Sequence, residues 1–497
     1  MRTFVFVGLL LLSIASYSQD LIEISGKEAG LKTFPNPTGI FRGDDGVLYK
    51  ADKKAATREN RYKIILTRYN EDLSTKFSTT LDFPDDREVI EYWFFIENKI
   101  YLFTSQYDGA NKTLYLKILD KETGKIITDK KPYGALASDP FGKDSRNFII
   151  SITPDKTKMC IVSSFQWNKK PQEVKAVLYD LPSLKQTLEF KLPDTHKDLL
   201  IKTFNYILTP EGNLFYMYKY DIKEKDAPNI QTLVLYNLKD KTTKQKEIDL
   251  GSKTLIEVRT VTKNNKLYRI GNFREKISKK EKKAGAFCFT IDLKDIDRSV
   301  MNFDYYPAEI ETKLSYKDGA GKRELGEKEI SLTGVYETTN GFYLVQNLTY
   351  TKEVSTQNTT MIKFFSRDFI VSKYNADGKR EFVKILPKYC GKEMTNSDIM
   401  ESNGDLYVFY CEHPKNLEKF TVENYDPTDY DDVGDIRGPV PVGVKVSADG
   451  KLSRQTFEKN ETWCYYPGYG VKIGNNSLLV IRIQKDEFVL TVFKTKK

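Results

Sequence analysis

The sequence predicts an all-β chain assembled from repeated four-stranded antiparallel units. Tyr and Phe are abundant, with 31 and 29 copies, and aromatic side chains suit the pleated surface of a sheet. Apolar runs alternate with short turns rich in Gly, Asn and Asp, which supply the positive φ that a tight hairpin needs. Groups of four such runs recur about every 40–50 residues, and this period is typical of a β-propeller.

The clearest unit spans Asn147–Leu192. Its apolar runs are separated by the turn Thr153–Lys156, a polar loop Gln166–Glu173 and a turn through Pro182. The four predicted strands are Asn147–Ile152, Lys158–Phe165, Val174–Asp180 and Thr187–Leu192. An up-and-down order of this kind needs only short hairpin connections.

Eight units follow one another along the chain. In order they are Pro37–Phe83, Glu88–Thr128, Asn147–Leu192, Lys202–Leu250, Thr254–Asp304, Ile330–Leu386, Asp398–Glu458 and Gly470–Lys494. Turn residues recur after the first and third strands: Gly43–Gly46, Glu97–Lys99, Glu122–Gly124, Thr209–Gly212, Lys263–Asn265, Thr339–Gly341, Ala376–Gly378, Asn403-Gly404, Ala448–Gly450 and Gly474–Asn476. Several strands are apolar throughout, which indicates that both faces of a sheet are covered.

The last unit lacks a fourth strand. The short segment Leu21–Ile24 precedes the first unit and can supply that strand, which would close the ring and remove an exposed edge. The sequence therefore predicts a propeller of eight blades in one domain, residues 19–497. Seven blades is the alternative, because a misread first unit would remove one.

Three hairpins carry a family resemblance. The segment Ser151–Lys158 (SITPDKTK) resembles the S-x-D-G-K hairpin of TolB-like bacterial propellers, and Val446–Lys451 and Leu208–Gly212 are similar to it. The whole chain resembles exported propellers of about this length in Gram-negative bacteria. This resemblance implies an architecture and carries no catalytic residues over.

The N-terminus has the features of a signal peptide. Arg2 precedes the apolar run Phe4–Ala15, which is too short to span a bilayer, and Ser16–Ser18 fits a small-x-small cleavage site. We therefore expect residues 1–18 to be removed and the protein to be periplasmic or secreted, with no membrane span. The formal charge of +9 is spread over turns and alternate strand positions, so it indicates a solvated surface and no nucleic-acid partner.

Long insertions fall in one class of connection. They occupy second-to-third loops and links between units, whereas first-to-second and third-to-fourth turns are short. The insertions are Asp129–Arg146, Arg274–Gly285, Tyr305–Glu329, Thr349–Asp368 and Glu412–Arg437. Both connection types belong to one face of a propeller, so we expect that face, at units 5 to 8, to carry a recognition surface for an unknown protein or glycan. Tolerated decoration is the alternative.

Acidic and aromatic residues concentrate on that predicted face. The acidic residues and neighbouring tyrosines are Glu423, Tyr425, Asp426, Asp429, Tyr430, Asp431, Asp432 and Asp435. Clustered carboxylates can hold Ca²⁺, but the EF-hand spacing is absent, so a solvated acidic loop is expected in place of a metal site. Trp463, Tyr465, Tyr466 and Tyr469 lie in the predicted link between units 7 and 8. Such aromatic residues either stack on sugars or peptides, or plug the contact between blades.

Basic residues and cysteines complete the candidates. Arg274–Lys283 (REKISKKEKK) either attracts an anionic polymer or is a solvated loop. Cys160 and Cys288 fall inside strands and are expected to be buried thiols. Three further cysteines fall near the insertions, and in an oxidising compartment two of them could pair: Cys390, Cys411 and Cys464.

Motifs for catalysis and cofactors are missing from the sequence. The chain has two His residues, His196 and His413, and neither belongs to a metal or nucleophile pattern. The sequence therefore predicts a non-catalytic binding or scaffold propeller without a cofactor. A carbohydrate-active hydrolase is the alternative, because a pair of carboxylates facing each other across a central funnel has no signature in sequence.

Overall fold

The structure is a computed structural model. It describes residues 22–31, 40–42, 48–55, 62–70, 72–83, 89–107, 111–137, 147–165, 173–191, 201–220, 229–276, 282–308, 316–318, 321–323, 330–355, 360–388, 397–419, 440–457, 463–484 and 487–496. The predicted signal peptide lies outside these residues, as does most of the acidic insertion.

Strands dominate the described chain. In chain order the first part contains β1 Ile22–Leu31, β2 Ile40–Arg42, β3 Leu48–Ala55, β4 Tyr62–Tyr69, β5 Thr75–Phe83, β6 Val89–Ile96, β7 Lys99–Tyr107, β8 Asn111–Asp120, β9 Ile126–Ala137, β10 Asn147–Ile152, β11 Lys158–Phe165, β12 Glu173–Asp180, β13 Lys185–Lys191, β14 Ile201–Leu208, β15 Leu214–Tyr220, β16 Ile230–Tyr236, β17 Thr243–Asp249, β18 Lys253–Lys263, β19 Lys266–Lys276, β20 Lys282–Asp292 and β21 Val300–Tyr305. A 3₁₀ turn, Ile296–Arg298, precedes β21.

The second part begins with a short two-stranded hairpin. Its strands and those that follow are β22 Tyr316–Asp318, β23 Gly321–Arg323, β24 Ile330–Thr338, β25 Gly341–Ser355, β26 Thr360–Asn375, β27 Arg380–Leu386, β28 Asp398–Ser402, β29 Asp405–Glu412, β30 Val440–Val446, β31 Leu452–Thr456, β32 Trp463–Gly474, β33 Ser477–Gln484 and β34 Glu487–Thr495. A short helix, α1, covers Pro414–Lys419.

These strands form four-stranded antiparallel meanders. Sheets 1 to 5 are β2–β5, β6–β9, β10–β13, β14–β17 and β18–β21, and sheets 6 to 8 are β24–β27, β28–β31 and β32–β34 with β1. The predicted fold class, an all-β propeller of four-stranded antiparallel units, is confirmed. The described residues contain eight such sheets, while the number of blades in the propeller stays a prediction.

The two ends of the chain meet in sheet 8. Strand β1 pairs antiparallel with β34, from Ile22 opposite Thr495 to Leu31 opposite Phe488. The fourth strand of the last sheet is therefore supplied by the N-terminal segment, as the sequence predicts. The strand is longer than the predicted Leu21–Ile24, and its register shifts between Ile24 and Glu28.

Contacts divide the chain into two compact bodies. The N-terminal body contains residues 35–308 and 374–381, and the C-terminal body contains residues 1–34, 309–373 and 382–497. Within each body, consecutive sheets bury their apolar faces against each other. Each shared cluster can be identified by one aromatic residue: Tyr49 for sheets 1 and 2, Phe103 for 2 and 3, Tyr216 for 3 and 4, Phe287 for 4 and 5, Tyr410 for 6 and 7, and Tyr465 for 7 and 8.

Asx-type turns explain why the third strands end where they do. In sheet 2, Oδ1 of Asp120 accepts hydrogen bonds from the backbone N–H groups of Glu122 at 3.0 Å and Thr123 at 2.7 Å. Side chains at the same place in sheets 4, 5 and 6 accept equivalent bonds: Asn237, Asp292 and Asn375. Asp and Asn at these positions favour a turn over continued strand because they satisfy backbone donors locally.

Bulges interrupt the first strands, and the sequence analysis did not predict them. The register of first against second strand shifts in sheets 2, 4, 5 and 6, between Ile90 and Tyr92, Phe204 and Tyr206, Leu255 and Val258, and Leu332 and Gly334. A bulge turns the strand and increases its twist. Because it recurs at the same strand of the repeat, it is a feature of the unit and not a local accident.

Several predicted connections are strand in part. The predicted insertion Asp129–Arg146 begins as strand, because β9 continues to Ala137. The predicted insertion Arg274–Gly285 is strand at both ends, because β19 continues to Lys276 and β20 begins at Lys282.

Two further segments also differ from the prediction. The segment containing Trp463, predicted as a link, is the beginning of strand β32. The insertion Thr349–Asp368, predicted as a loop, is largely strand, because β25 and β26 continue through it. Both segments contain aromatic and β-branched residues at high density, and these residues favour extended backbone over loop.

Candidate functional site

Each sheet has two ends, which differ in the connections that they carry. The turn end carries the first-to-second and third-to-fourth turns. The insertion end carries the second-to-third loops and the links, where the candidate residues lie. Sheets 6 to 8 belong to the C-terminal body, except for residues 374–381 of sheet 6, which belong to the N-terminal body.

Tyr465 is buried and not exposed for binding. Its side chain is 1% exposed and belongs to the cluster between sheets 7 and 8, where its ring centroid lies 5.7 Å from that of Phe493. Its hydroxyl donates to Oδ2 of Asp398. Burial, followed by the negative charge of Asp398, raises the pKa of Tyr465 well above its usual value. Of the two interpretations of this aromatic residue, the position favours packing between sheets.

Asp398 holds the irregular part of β32 in place. This buried carboxylate also accepts hydrogen bonds from the backbone N–H of Gly468, at 2.9 Å, and from that of Gly470. The register against β33 breaks between Tyr466 and Val471, so these N–H groups are not paired in the ladder there. A Cβ at position 470 would lie 2.6 Å from Cγ of Asp398, which explains why glycine occurs there.

The other candidate residues lie outside the described side chains. Trp463, Tyr466 and Tyr469 belong to strand β32, but only their backbone is described. The acidic-loop candidates lie wholly outside the described residues: Tyr425, Asp426, Asp429, Asp431 and Asp432. Their role in ligand binding stays a prediction.

The root of the acidic insertion is held by a second buried carboxylate. Glu412 ends β29 and is fully buried. Its Oε1 accepts hydrogen bonds from the backbone N–H of His413 at 2.9 Å and from Nδ2 of Asn416 at 2.7 Å. His413 in turn accepts at Nδ1 from the backbone N–H of Lys415, at 3.2 Å, and so caps the N-terminus of α1. His413 therefore has a structural role, as the N-cap of α1.

A third buried carboxylate lies at the root of the β25–β26 extension. Oδ1 of Asp368 accepts from the backbone N–H of Lys388 at 3.1 Å. Lys388 is itself fully buried, and its Nζ lies 4.7 Å from the ring centroid of Phe369. Tyr410 donates its hydroxyl to the carbonyl oxygen of Pro387 at 2.8 Å. Together these contacts fix the chain as it leaves β27.

Connections at the insertion end of sheets 6 to 8 therefore share one feature, a buried carboxylate at the root. Three of them, on three different sequence segments, each accept from backbone N–H groups at the root of a connection: Asp368, Asp398 and Glu412. Sequence analysis missed all three, because a polar residue at a strand end is equally compatible with exposure. Burying a carboxylate is unfavourable unless it is hydrogen-bonded, so such residues at loop roots indicate a rigid support.

The turn end is occupied by contacts between sheets. In the C-terminal body, Tyr343 donates its hydroxyl to the carbonyl oxygen of Gly404 at 2.8 Å, and Lys373 donates to that of Ala448 at 2.7 Å. In the N-terminal body, Tyr268 donates to the carbonyl oxygen of Ala376 at 3.0 Å. Turn carbonyls of one sheet are thus bound by side chains of the preceding sheet.

Sheet 5 has a charged cluster at its own insertion end. Glu275 accepts from the hydroxyls of Ser252 and Tyr305, and from Nζ of Lys253 at 3.2 Å. These hydrogen bonds, with Ser252 contributing most, lower the pKa of Glu275 to about 2. Nζ of Lys283, at the far end of the basic loop, lies 6.0 Å from the Tyr305 ring centroid. Residues 277–281 of that loop lie outside the described part of the chain.

The described cysteines are buried thiols. Cys160 and Cys288 lie in strands as predicted, and burial raises the pKa of each to about 12. Cys411 is also a thiol, and its Sγ lies 3.6 Å from the carbonyl oxygen of Tyr465. Cys390 lies outside the described residues, as does the side chain of Cys464. A bond between these two stays a prediction.

The described residues contain neither a candidate metal site nor a helix that could span a membrane. Its His, Cys, Asp and Glu residues form no group of three or more that could hold a metal ion. Its helices include none with the length and hydropathy needed to span a bilayer.

Comparison with known proteins identifies no family for this chain. No protein-family model matches the chain, and no characterised protein matches it in sequence. The WD40 domain of SCAP from fission yeast is similar in structure, with a TM-score of 0.42 at 9% identity over 96% of this chain and 99% of that chain. The polysaccharide lyase Uly1 has a TM-score of 0.39 at 12% identity over 80% and 91%. The β-propeller domain of the trilobed protease from Pyrococcus furiosus has 0.30 at 10% identity over 82% and 96%.

Proposed function

We propose that this protein is an exported, non-catalytic binding or scaffold propeller whose recognition surface is the insertion end of sheets 6 to 8. The observation that supports this is the set of buried carboxylates at the loop roots. Asp368, Asp398 and Glu412 each fix backbone where an insertion or link begins. Loops on a rigid support are where binding surfaces most often occur.

The chemistry of the partner follows from the loops that these roots carry. The acidic insertion and the aromatic residues of β32 combine carboxylates with flat apolar rings, a combination that suits a glycan or an extended peptide. The turn end is less suitable, because its turn carbonyls already accept hydrogen bonds from neighbouring sheets.

Binding can be tested with the mature protein, residues 19–497. A glycan array and a pull-down from envelope and culture fractions identify a ligand, and titration then compares variants. Tyr466→Ala, and separately the triple change of Asp429, Asp431 and Asp432 to Asn, should weaken binding at least tenfold. Lys451→Ala is the matched control, because this turn-end side chain is 86% exposed. Equal binding by all variants, or loss only in the control, contradicts the proposal.

Export has a separate test. The apolar run Phe4–Ala15 and the small residues after it support it. N-terminal sequencing of the protein from cell envelope and medium should begin at Gln19. A mature protein that retains Arg2 in the cytoplasm contradicts this part of the proposal.

The alternative hydrolase activity is tested with the same protein. Release of reducing ends from a panel of polysaccharides would favour it. Asp398 and Glu412 give it no support, since both serve as acceptors for the backbone that they position.

A further inference from the structure

The turn between β26 and β27 packs on sheet 5. Residues 374–381, called here the docked hairpin, belong by their contacts to the N-terminal body. The hydroxyl of Tyr268 donates to the carbonyl oxygen of Ala376 at 3.0 Å, and Nδ2 of Asn302 donates to that of Gly378 at 2.9 Å. Side chains of sheet 5 therefore hold the backbone of this hairpin.

Gly378 brings the docked hairpin into close contact with β20. Its φ of +73° favours glycine. A Cβ at this position would lie 2.5 Å from Oγ1 of Thr290 and 2.9 Å from Sγ of Cys288, and both of these side chains are buried. The hairpin thus lies directly on the surface of sheet 5.

Asp304 and Tyr374 both contribute a buried oxygen that lacks a hydrogen bond. Tyr374, in the docked hairpin, is fully buried. Oδ2 of Asp304 and Oη of Tyr374 are both shielded from water, and no described residue forms a hydrogen bond with either atom. An ionised carboxylate in such a place is unfavourable, because nothing replaces the hydrogen bonds that water would make.

Arg380 is the charged residue of the docked hairpin that faces Asp304. Its Nη1 and Nη2 donate to two carbonyl oxygens, that of Asp304 at 3.2 Å and that of Tyr305 at 2.8 Å. Among the described residues, the other titratable groups around the two buried oxygens are Tyr306 and Cys288. The cation beside the carboxyl group is therefore already engaged with backbone.

Burial is the largest influence on the titration of Asp304. It raises the pKa of this carboxyl group above its ordinary value of 3.8, and the charge of Arg380 and the nearby hydroxyl of Tyr374 offset this only in part. A neutral carboxyl group can donate a hydrogen bond to a hydroxyl oxygen such as Oη of Tyr374. The ionised group instead leaves a charge inside the contact.

We infer that Asp304 is a proton-binding site and that its neutral form holds the docked hairpin on sheet 5 more tightly than its ionised form does. A carboxyl group whose pKa is raised by folding contributes stability at low pH, and this contribution is lost as the pH rises through the folded-state pKa. Ionisation also offers Arg380 a carboxylate, in competition with the two carbonyl oxygens that it binds. Acid therefore favours the docked hairpin, and neutral pH loosens it.

Hydrogen exchange of the full mature chain tests this, with mass spectrometry of peptides that cover the docked hairpin. Each exchange rate is divided by the intrinsic rate at the same pH to give the protection. The backbone N–H groups of Asn375 and Gly378 both donate within the turn at 3.0 Å and report on it. The wild-type hairpin should be at least about threefold better protected at about pH 3.5, below the ordinary Asp pKa of about 3.9, than at pH 7.

Two variants assign the effect to Asp304. Asp304→Asn supplies a neutral donor of the same shape, so it should remove the pH dependence and give at pH 7 the protection that the wild-type chain has in acid. Tyr374→Phe removes the acceptor of the neutral form, so it should lower protection more in acid than at pH 7. Asp377→Asn is the matched control on the same hairpin, because that carboxylate is 76% exposed and lies 3.7 Å from Nζ of Lys266; it should keep the wild-type pH dependence.

Three results would overturn the inference. The first is wild-type protection that does not change with pH. The second is a pH dependence that survives in Asp304→Asn or disappears in Asp377→Asn. The third, which also decides the matter if Asp304→Asn does not fold, is a loss of protection in Tyr374→Phe that is as large at pH 7 as in acid.

Discussion

Tyr465 decides between two roles for the aromatic residues of β32, and its replacement can be quantified. Tyr465→Phe keeps the ring and removes one hydroxyl that donates to the buried carboxylate of Asp398. A hydrogen bond to a charged group contributes about 1.5–3 kcal/mol, so we expect a loss of that size in the free energy of unfolding. Tyr465→Ala also leaves a cavity in the cluster with Phe493, and the loss should be about 3–5 kcal/mol.

The assay combines urea denaturation with amide hydrogen exchange. The chain has two compact bodies, so the unfolding transition of the whole chain need not be two-state. Exchange at Gly468 and Gly470 reports on the region directly, because both N–H groups donate to Asp398. Both variants should speed exchange there, and Tyr465→Ala should speed it more. Unchanged exchange and an unchanged urea midpoint in Tyr465→Ala would refute the packing role and restore the ligand-binding one.

Two further predictions concern the N-terminal body. Folding lowers the pKa of Glu275 from 4.5 to about 2. The contribution of this carboxylate to stability is therefore fully present above pH 4.5 and is lost as the pH falls through 2. In urea titrations, Glu275→Gln should cost about 1–2 kcal/mol at pH 7 and clearly less at pH 2, and an equal cost at both values would contradict this. At Gly271 a Cβ would lie 1.8 Å from a carbonyl oxygen of the sheet 5 bulge, so Gly271→Ala should lower stability by roughly 3 kcal/mol or more. Gly474→Ala is its control, since the nearest atom to that Cβ is 3.6 Å away and the cost should be under about 1 kcal/mol; similar midpoints for both variants would show that the bulge yields.

The repeat could be predicted from sequence because its turns are specified locally. Asp120 and Asn375 end third strands by binding their own following backbone, and this chemistry is visible in a few consecutive residues. Pairing of the N-terminal strand with the last sheet was predictable for a different reason. The last unit had three predicted strands, and the segment Leu21–Ile24 belonged to no unit. Both arguments need only the order of elements along the chain.

The features that were missed depend on contacts distant in sequence. Gly470 was predicted as the start of the last unit, yet it and Gly468 belong to an irregular strand whose N–H groups donate to Asp398. Asp368 and Glu412 were predicted to lie in the insertions Thr349–Asp368 and Glu412–Arg437, whereas both are buried. First-strand bulges have no sequence signature, since an extra residue of almost any type can occupy one. The β25–β26 extension was read as a loop because it exceeds the length of its sheet.

The pairing of β1 with β34 determines when sheet 8 can be completed during synthesis and folding. Among the described strands, β1 pairs with β34 and with no other. A polypeptide interrupted upstream of Glu487 therefore lacks that partner for its first strand, however well the intervening sheets have formed. Fusion tags at either terminus would emerge side by side from the same sheet.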